Sequence, residues 1–123
     1  MKHLKKFESY NMSDVDDILS QIDDFINSNQ RSLWISNDAI KIYIRKSKRY
    51  YKGQILDFFD FATIEATETG QGLFTKILND FEERYPDKNI FIESVITDRF
   101  KDTIKNKWGF EEFNDDSNFY KVK

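Results

Sequence analysis

Residues 54–66, QILDFFDFATIEA, constrain the fold of this chain more than any other stretch. The segment is the most apolar of the chain and is rich in Phe, Ile and Thr, which favours a β-strand. Its apolar residues are not confined to alternate positions, so the pattern predicts a central strand covered on both faces. A strand of this kind needs neighbours, and the chain is therefore predicted to build a sheet around it.

The residues on either side predict an alternation of strands and helices. Apolar residues recur at helical spacing across 13–28, where Ser13 is a candidate N-cap, and again from Gly72 to Pro86. The remaining predicted strands and the third helix are short: strands within 1–10 and at 33–36, 39–46, 89–96, 110–113 and 119–123, and a helix within 97–109. Residues 46–53, KSKRYYKG, are interpreted as a basic, aromatic connection, and residues 114–118, NDDSN, as a turn.

The predicted order of elements fixes the fold class. A strand, a helix and a second strand over 54–96 require a crossover connection between parallel strands, whereas the other neighbours are hairpins. The class is therefore predicted to be α/β (α+β), with a mixed, mostly antiparallel central sheet and helices on both faces. At 123 residues, the chain is expected to form a single domain over 1–123.

Composition narrows the chemistry. The chain has no cysteine, which excludes disulfides, thiolate metal ligands and a cysteine nucleophile, and no metal site is predicted. The net charge of −3 is too small to select a partner. No apolar run reaches membrane-spanning length and the first residues lack the apolar stretch of a signal peptide, so a cytoplasmic protein without a membrane partner is expected.

Residues 67–78, TETGQGLFTKIL, place two glycines between the central strand and a helix. A dinucleotide-binding turn requires a third glycine where Thr75 stands, and a Walker A loop requires Gly-Lys-Ser/Thr, so both are excluded. Two interpretations stay open. The backbone amides of this turn could hold a pyrophosphate at the helix N-terminus, or the turn could simply connect strand and helix.

Two segments resemble the GNAT family of N-acetyltransferases. TGQGLFTKIL, after a long strand, is similar to the family's coenzyme A pyrophosphate loop, Arg/Gln-x-x-Gly-x-Gly/Ala. IESVITDRFKDTIKNKWGFEE is similar to the family's next strand and helix, which close in Lys-x-Gly-Phe, here residues 107–110. The order of elements also matches the family's fold, so the resemblance covers nearly the whole chain.

The resemblance implies a coenzyme A site between the strands 54–65 and 89–96. Its cofactor-binding residues are the end of the central strand, the glycine loop and one residue of the following helix: Ala62, Thr63, Ile64, Thr69, Gly70, Gln71, Gly72, Leu73, Phe74 and Asp98. Thr69 stands where the family has Arg or Gln, Phe74 where it has Gly or Ala, and Asp98 where it often has Asn.

The resemblance also implies acyl transfer from acyl-coenzyme A, usually acetyl-coenzyme A, to an amine that attacks directly. A carboxylate must then remove the amine's proton, and Asp60, Asp57 and Glu93 on apolar strands are the candidate bases. Asp57 and Asp60 are three residues apart and are predicted on opposite faces. Lys105, in place of the family's Tyr, and Tyr120 are candidate acids. Alternatively, the carboxylates face solvent or pair with the basic segment 46–53.

Three functions are therefore weighed. The first is an acyl-coenzyme A-dependent N-acyltransferase acting on an amine acceptor, as a monomer or homodimer. The second is a catalytically inactive module with the same fold. The third is a small nucleic-acid-associated protein acting through residues 46–52, whose cations and tyrosines could contact phosphate and stack on bases. That segment is better suited to solvent or to the 3′-phosphate of coenzyme A, so nucleic acid is not the favoured partner.

Overall fold

The protein is described by a computed structural model, which covers residues 12–66, 72–93, 105–106, 109–113 and 115–123. The elements follow one another along the chain as α1 (Met12–Ile26), β1 (Ser32–Ser36), β2 (Ile40–Tyr51), β3 (Gln54–Ala66), α2 (Leu73–Arg84), β4 (Asn89–Ile92), β5 (Glu111–Phe113) and β6 (Asp115–Lys121). The strands form a sheet in the order β1-β2-β3-β4-β6-β5. The described fold is therefore α+β, with a mostly antiparallel sheet.

The chain falls into two compact units. Unit 1 contains the described residues up to Tyr43 together with those of Ile64–Pro86, and unit 2 contains Ile44–Thr63 together with the described residues from Asp87 onward. The single-domain prediction stays a prediction.

The core of unit 1 is built by the two helices and the first strands. The apolar stripe predicted within 13–28 is buried, from Val15 to Phe25, and α1 contacts both α2 and β1. The stripe of α2 is buried in the same way: Leu73, Phe74, Ile77, Leu78 and Phe81. Helical periodicity thus identified both helices, because each buries one face.

The ends of the helices follow from local hydrogen bonds. α1 begins at Met12, one residue before the predicted cap Ser13, and ends two residues before the predicted position 28. Asn27 Nδ2 donates to the carbonyl of Asp23 at 2.9 Å, and Ser28 Oγ donates to the carbonyl of Phe25 at 2.7 Å. These side chains satisfy the last carbonyls of the helix, which have no partner within it.

The largest correction concerns residues 46–51, which were predicted as a connection. They are the second half of β2, which runs to Tyr51. Lys52 and Gly53 then make the turn, with φ of 49° and 85°. A two-residue turn with positive φ at both positions matches the twist of an antiparallel hairpin. It sets Lys48 opposite Asp57, in agreement with their 2.6 Å ion pair.

The sheet of unit 2 has two chemically different faces. Strand β3 pairs in parallel with β4, with Asp60 opposite Phe91, and β4 pairs antiparallel with β6. One face carries the buried apolar side chains of alternate positions: Ile44, Phe59, Phe61, Ile90, Ile92 and Phe119. The other face, which we call the charged face, carries Arg45, Ser47, Arg49, Tyr51, Asp60, Phe91, Glu93 and Tyr120.

The other predicted strands, helix and turn can be compared with the structure only in part. Strand β3 has the predicted bounds, and residues 58–62 are buried on both faces. Strand β4 ends at Ile92, and the later part of the predicted strand 89–96 and most of the helix within 97–109 lie outside the described residues, as does the strand within 1–10. The predicted turn 114–118 is wrong, because β6 begins at Asp115.

Among the described residues, neither helix is long and apolar enough to cross a membrane.

Candidate functional site: the charged face of unit 2

Asp60 is the centre of the charged face. Its side chain is fully buried, and it is the one buried charged residue in the described part of the chain. Ser47 Oγ donates to Oδ1 at 2.8 Å, and Oδ2 accepts from Arg45 Nε at 3.2 Å and from Arg49 Nη2 at 2.8 Å. Arg45 Nη2 also lies 3.1 Å from Oδ2. A buried carboxylate needs such partners, because a charge removed from water without them costs several kcal/mol.

Arg45 links Asp60 to Glu93. Its Nη2 donates to Glu93 Oε1 at 2.6 Å, and the two side chains are 33% and 35% exposed. The backbone N–H of Glu93 donates to the carbonyl of Phe61 at 3.1 Å, which holds this residue at the end of β4 against β3. Burial alone would lower the pKa of Arg45, but the charges of Asp60 and Glu93 raise it above its ordinary value. Arg45 is therefore a permanent cation.

The charged face also carries aromatic side chains. The guanidinium of Arg49 stacks on the ring of Phe91, 3.6 Å from its centroid. Tyr51 and Tyr120 meet edge to face with their ring centroids 5.6 Å apart, and Tyr120 donates its hydroxyl hydrogen to Glu111 at 3.2 Å. Burial and the charge of Glu111 raise the pKa of Tyr120 above its ordinary value, so the phenol stays protonated at neutral pH.

The arginines and the serine of this face were not among the residues predicted for the site. They lie in the segment interpreted as a connection, because its many cations do not look like a strand. The available signal was the alternation of β2, whose apolar residues at 40, 42 and 44 leave polar residues at the odd positions up to 51. Extending that alternation beyond Ile44 would have placed Arg45, Ser47 and Arg49 on one face.

The structure separates the three candidate bases. Asp57 and Asp60 lie on opposite faces of β3, as predicted, and Asp57 is 82% exposed in its pair with Lys48. Asp60 and Glu93 are brought together through Arg45. Asp57 and Asp60 pair with the basic segment, which is the arrangement that the sequence left open as the alternative. Asp60 is fully buried and already accepts hydrogen bonds from Ser47, Arg45 and Arg49, which argues against a role as the base for an amine.

Each of the two candidate acids contacts a glutamate. Lys105 is exposed and pairs with Glu112, with Nζ 3.2 Å from Oε2. Tyr120 lies on the charged face, where its hydroxyl donates to Glu111. Their roles as acids stay predictions.

The predicted cofactor loop is described only at its two ends. Ala62, Thr63 and Ile64 lie in the last part of β3, and Leu73 and Phe74 are buried in the first turn of α2. Gly72 precedes the helix with φ of −84°, a conformation open to any residue, so no positive φ requires a glycine there. Thr69, Gly70, Gln71 and Asp98 lie outside the described residues.

Within the part of the chain that the structure describes, no group of three or more His, Cys, Asp or Glu side chains is arranged to hold a metal ion.

Comparisons with known proteins do not assign the chain to a family. No family profile and no curated protein matches the chain. One solved structure, described as "The crystal structure of KacTA-DNA complex", matches with a TM-score of 0.45 and 12% sequence identity, covering 94% of this chain and 82% of that chain. A likeness at this level supports no inference about what this chain binds.

The prediction of an acyl-coenzyme A-dependent N-acyltransferase is wrong. The geometry argues against two of the three candidate bases, since Asp57 is an exposed partner of Lys48 and Asp60 is fully buried and bonded to Ser47, Arg45 and Arg49. Membership of the GNAT family, and enzymatic activity of any kind, stay predictions.

Proposed function

We propose that this chain binds a small zwitterionic ligand of the α-amino acid class at Arg45 and Glu93. The observation that carries the proposal is the 2.6 Å contact between these two side chains, each about one-third exposed. The guanidinium of Arg45 and the carboxylate of Glu93 are thereby held side by side in a partly exposed position on the charged face.

The class of ligand follows from the two side-chain atoms of this pair that have no recorded bond within the described residues, one on Arg45 and one on Glu93. Within the described residues, the recorded bonds of Arg45 use Nε and Nη2, and that of Glu93 uses Oε1. Arg45 Nη1 can then donate to a ligand carboxylate, while Glu93 Oε2 can accept from a ligand ammonium. An α-amino acid carries both charges one carbon apart, which suits two protein charges in direct contact.

The charge balance of the cluster favours a zwitterion over a simple anion. Arg45 and Arg49 carry two positive charges, and Asp60 and Glu93 carry two negative charges, so the cluster is neutral. A lone anion at Arg45 would lie near the negative charge of Glu93 with no positive charge of its own to offset the repulsion, whereas a zwitterion adds one opposite charge to each side chain. Asp60 also holds the guanidinium of Arg45 in place before the ligand arrives, which reduces the entropy lost on binding.

Isothermal titration calorimetry of the full chain with glycine tests the proposal. Methylamine and acetate each carry one of the two charges, and γ-aminobutyrate carries both with a longer spacer. We expect glycine to bind with a dissociation constant in the millimolar range and the other three to bind at least about tenfold more weakly, since one charge-assisted hydrogen bond contributes about 1.5–3 kcal/mol.

Glu93→Gln is the informative variant, because it keeps the volume of the side chain and removes the charge that would meet the ammonium. We expect it to weaken glycine binding about tenfold. The matched control is Asp57→Asn, which removes an exposed carboxylate on the opposite face and should leave glycine binding unchanged. Equal binding of glycine, acetate and methylamine, or equal effects of both variants, would contradict the proposal.

Coenzyme A binding at residues 70–74 is a separate prediction. It is supported by the order of strand, turn and helix from β3 to α2, together with the resemblance to the GNAT family. Calorimetry with acetyl-coenzyme A tests it independently, because the glycine loop and the Arg45–Glu93 pair are different residues. Absence of heat at millimolar ligand would remove this prediction and leave the zwitterion proposal in place.

A further inference from the structure

Strand β1 lies at one edge of the described sheet, where its neighbour is β2. The backbone N–H of Asn37, the residue after β1, donates to the carbonyl of Ile40, the first residue of β2, at 2.9 Å, so the backbone of Asn37 faces β2. In an antiparallel pair, the backbone groups of successive residues point alternately toward the partner strand and away from it. The backbone groups of Ser36 therefore point away from β2, and by the same alternation so do those of Ser32 and Trp34.

A side chain of α1 occupies the outward backbone groups of Ser36. The N–H of Ser36 donates to Gln21 Oε1 at 3.3 Å, and Gln21 Nε2 donates to the carbonyl of Ser36 at 3.0 Å. Within the described residues, no such bond is recorded for the outward backbone groups of Ser32 and Trp34. These two residues thus present two N–H donors and two carbonyl acceptors to a further strand.

The side chains of β1 do not protect this edge. Its sequence, SLWIS, has no charged residue, no Pro and no Gly, and Trp34 is 45% exposed. Sheet edges in proteins often carry charges that keep other strands away. Strand β5, the edge strand of unit 2, carries the exposed Glu111 and Glu112, which would repel the same residues of a second copy. The uncharged β1 can pair with its own copy without such repulsion.

We infer that β1 is a dimer interface, at which it pairs antiparallel with β1 of a second copy of this chain about a two-fold axis through Leu33. Ser32 and Trp34 then lie opposite Trp34 and Ser32 of the second copy, and each pair exchanges both of its N–H···O bonds. The small Ser32 leaves room for the indole opposite it, and the half-buried Leu33 meets its own copy at the axis. An axis through Trp34 would instead pair Ser36 with Ser32 and would require the bonds of Gln21 to break.

Sedimentation velocity of the full chain at increasing concentration tests the interface with a matched pair of variants. Ser32→Pro removes an outward N–H at the first residue of an edge strand, a position at which proline is tolerated, whereas Ser32→Ala keeps that N–H. We expect the parent and Ser32→Ala to form dimers with equal dissociation constants, and Ser32→Pro to dimerise at least about tenfold more weakly. Circular dichroism checks that each variant is folded.

Cysteine cross-linking tests the register and does not depend on the proline variant. The chain has no cysteine, so a single-cysteine variant forms one defined disulfide between copies. Leu33→Cys places the two thiols opposite each other at the axis, with about 4.5 Å between Cα atoms, whereas Ser36→Cys leaves them about six residues apart along the strands, beyond the reach of a disulfide. With oxidised glutathione as the oxidant, we expect Leu33→Cys to form covalent dimers at least about tenfold faster than Ser36→Cys on a non-reducing gel.

Three results would overturn the inference. The first is a parent chain that sediments as a monomer up to about 1 mM. The second is equal dimerisation of folded Ser32→Pro and Ser32→Ala, which would assign the dimer to another surface. The third is equal cross-linking of Leu33→Cys and Ser36→Cys, since random collision would then explain both. None of these results bears on amino acid binding, because β1 belongs to unit 1 and the residues Arg45 and Glu93 belong to unit 2.

Discussion

The substitution Asp60→Asn isolates the buried carboxylate on which the charged face depends. Asparagine has nearly the same volume as aspartate and keeps one acceptor oxygen, so the change leaves little cavity. The other oxygen becomes an NH₂ group that would point at N–H donors of Arg45 or Arg49 or at the hydroxyl of Ser47. Arg45 then keeps its pair with Glu93, whereas Arg49 loses its ion pair with Asp60.

The expected loss is large because both the charge and its hydrogen bonds are buried. Removing one partner of a buried ion pair costs about 3–5 kcal/mol, since the other charge is left uncompensated. A folded domain has a free energy of unfolding of about 5–15 kcal/mol, so about a fifth of the stability or more would be lost. At about 4 °C per kcal/mol, the melting temperature should fall by about 12–20 °C.

Asp57→Asn is the matched control, with the same chemical change three residues earlier on the same strand. The Lys48–Asp57 pair is exposed, with side-chain exposures of 67% and 82%. Exposed pairs contribute about 0–1 kcal/mol, so this variant should unfold close to the parent. Urea unfolding followed by circular dichroism and by fluorescence measures both variants, and coincident transitions establish that the comparison is between two-state unfolding free energies.

The double variant Asp60→Asn, Arg49→Gln tests the assigned cause. Removing Arg49 together with the carboxylate takes away one of the uncompensated cations, so the double variant should lose less than the sum of the two single variants by about 1 kcal/mol or more. If Asp60→Asn unfolds within about 1 kcal/mol of Asp57→Asn, or if the two losses simply add, the coupled ion pairs of Asp60 do not stabilise this face.

Two further predictions concern contacts away from this face. Burial and the hydrogen bond to Asp23 raise the pKa of Tyr85 from 10.0 to about 12, so stability from this phenol is present below about pH 10 and falls as the pH rises towards 12. The free energy of unfolding, measured with urea, should be lower at about pH 11.5 than at about pH 9, and this difference should be smaller in Tyr85→Phe. An equal difference in the parent and the variant would show that Tyr85 is not its cause. Gly53→Ala should destabilise the chain by about 1–2 kcal/mol in thermal unfolding, because φ is +85° while an added Cβ meets nothing within 4 Å. Lys52→Asn, at the neighbouring position with φ of 49°, should be neutral or slightly stabilising, and a neutral Gly53→Ala would show that the turn relaxes.

The sequence predicted those elements whose signal is local. The helices α1 and α2 each bury one apolar stripe, and the continuous apolar run of β3 distinguishes a strand covered on both faces. In these segments, the residue pattern alone states which side of the element meets the core.

The charged face was not predictable in the same way, because its stability depends on residues that are far apart in the chain. Arg45 bonds to Asp60, 15 residues later, and to Glu93, 48 residues later. Without those partners, the second half of β2 is a run of cations with the composition of an exposed connection. The prediction of the closing hairpin failed for a related reason: residues 115–118 have turn-forming composition, but β6 begins at Asp115, which pairs with Phe113 of β5.

Burying the charged cluster of Arg45, Arg49 and Asp60 on a sheet face costs desolvation free energy. Replacing a buried ion network with apolar residues of similar volume is often neutral or stabilising, so stability alone gives no reason for its presence. Apolar side chains would, however, remove the one property that binding needs, a guanidinium that is held rigidly and still partly exposed. The buried Asp60 holds the guanidinium of Arg45 in place, and the partly exposed Glu93 balances its charge until a ligand with both charges binds. On this reasoning, the buried carboxylate and the exposed one have different tasks in the same site, the first positioning Arg45 and the second contacting the ligand.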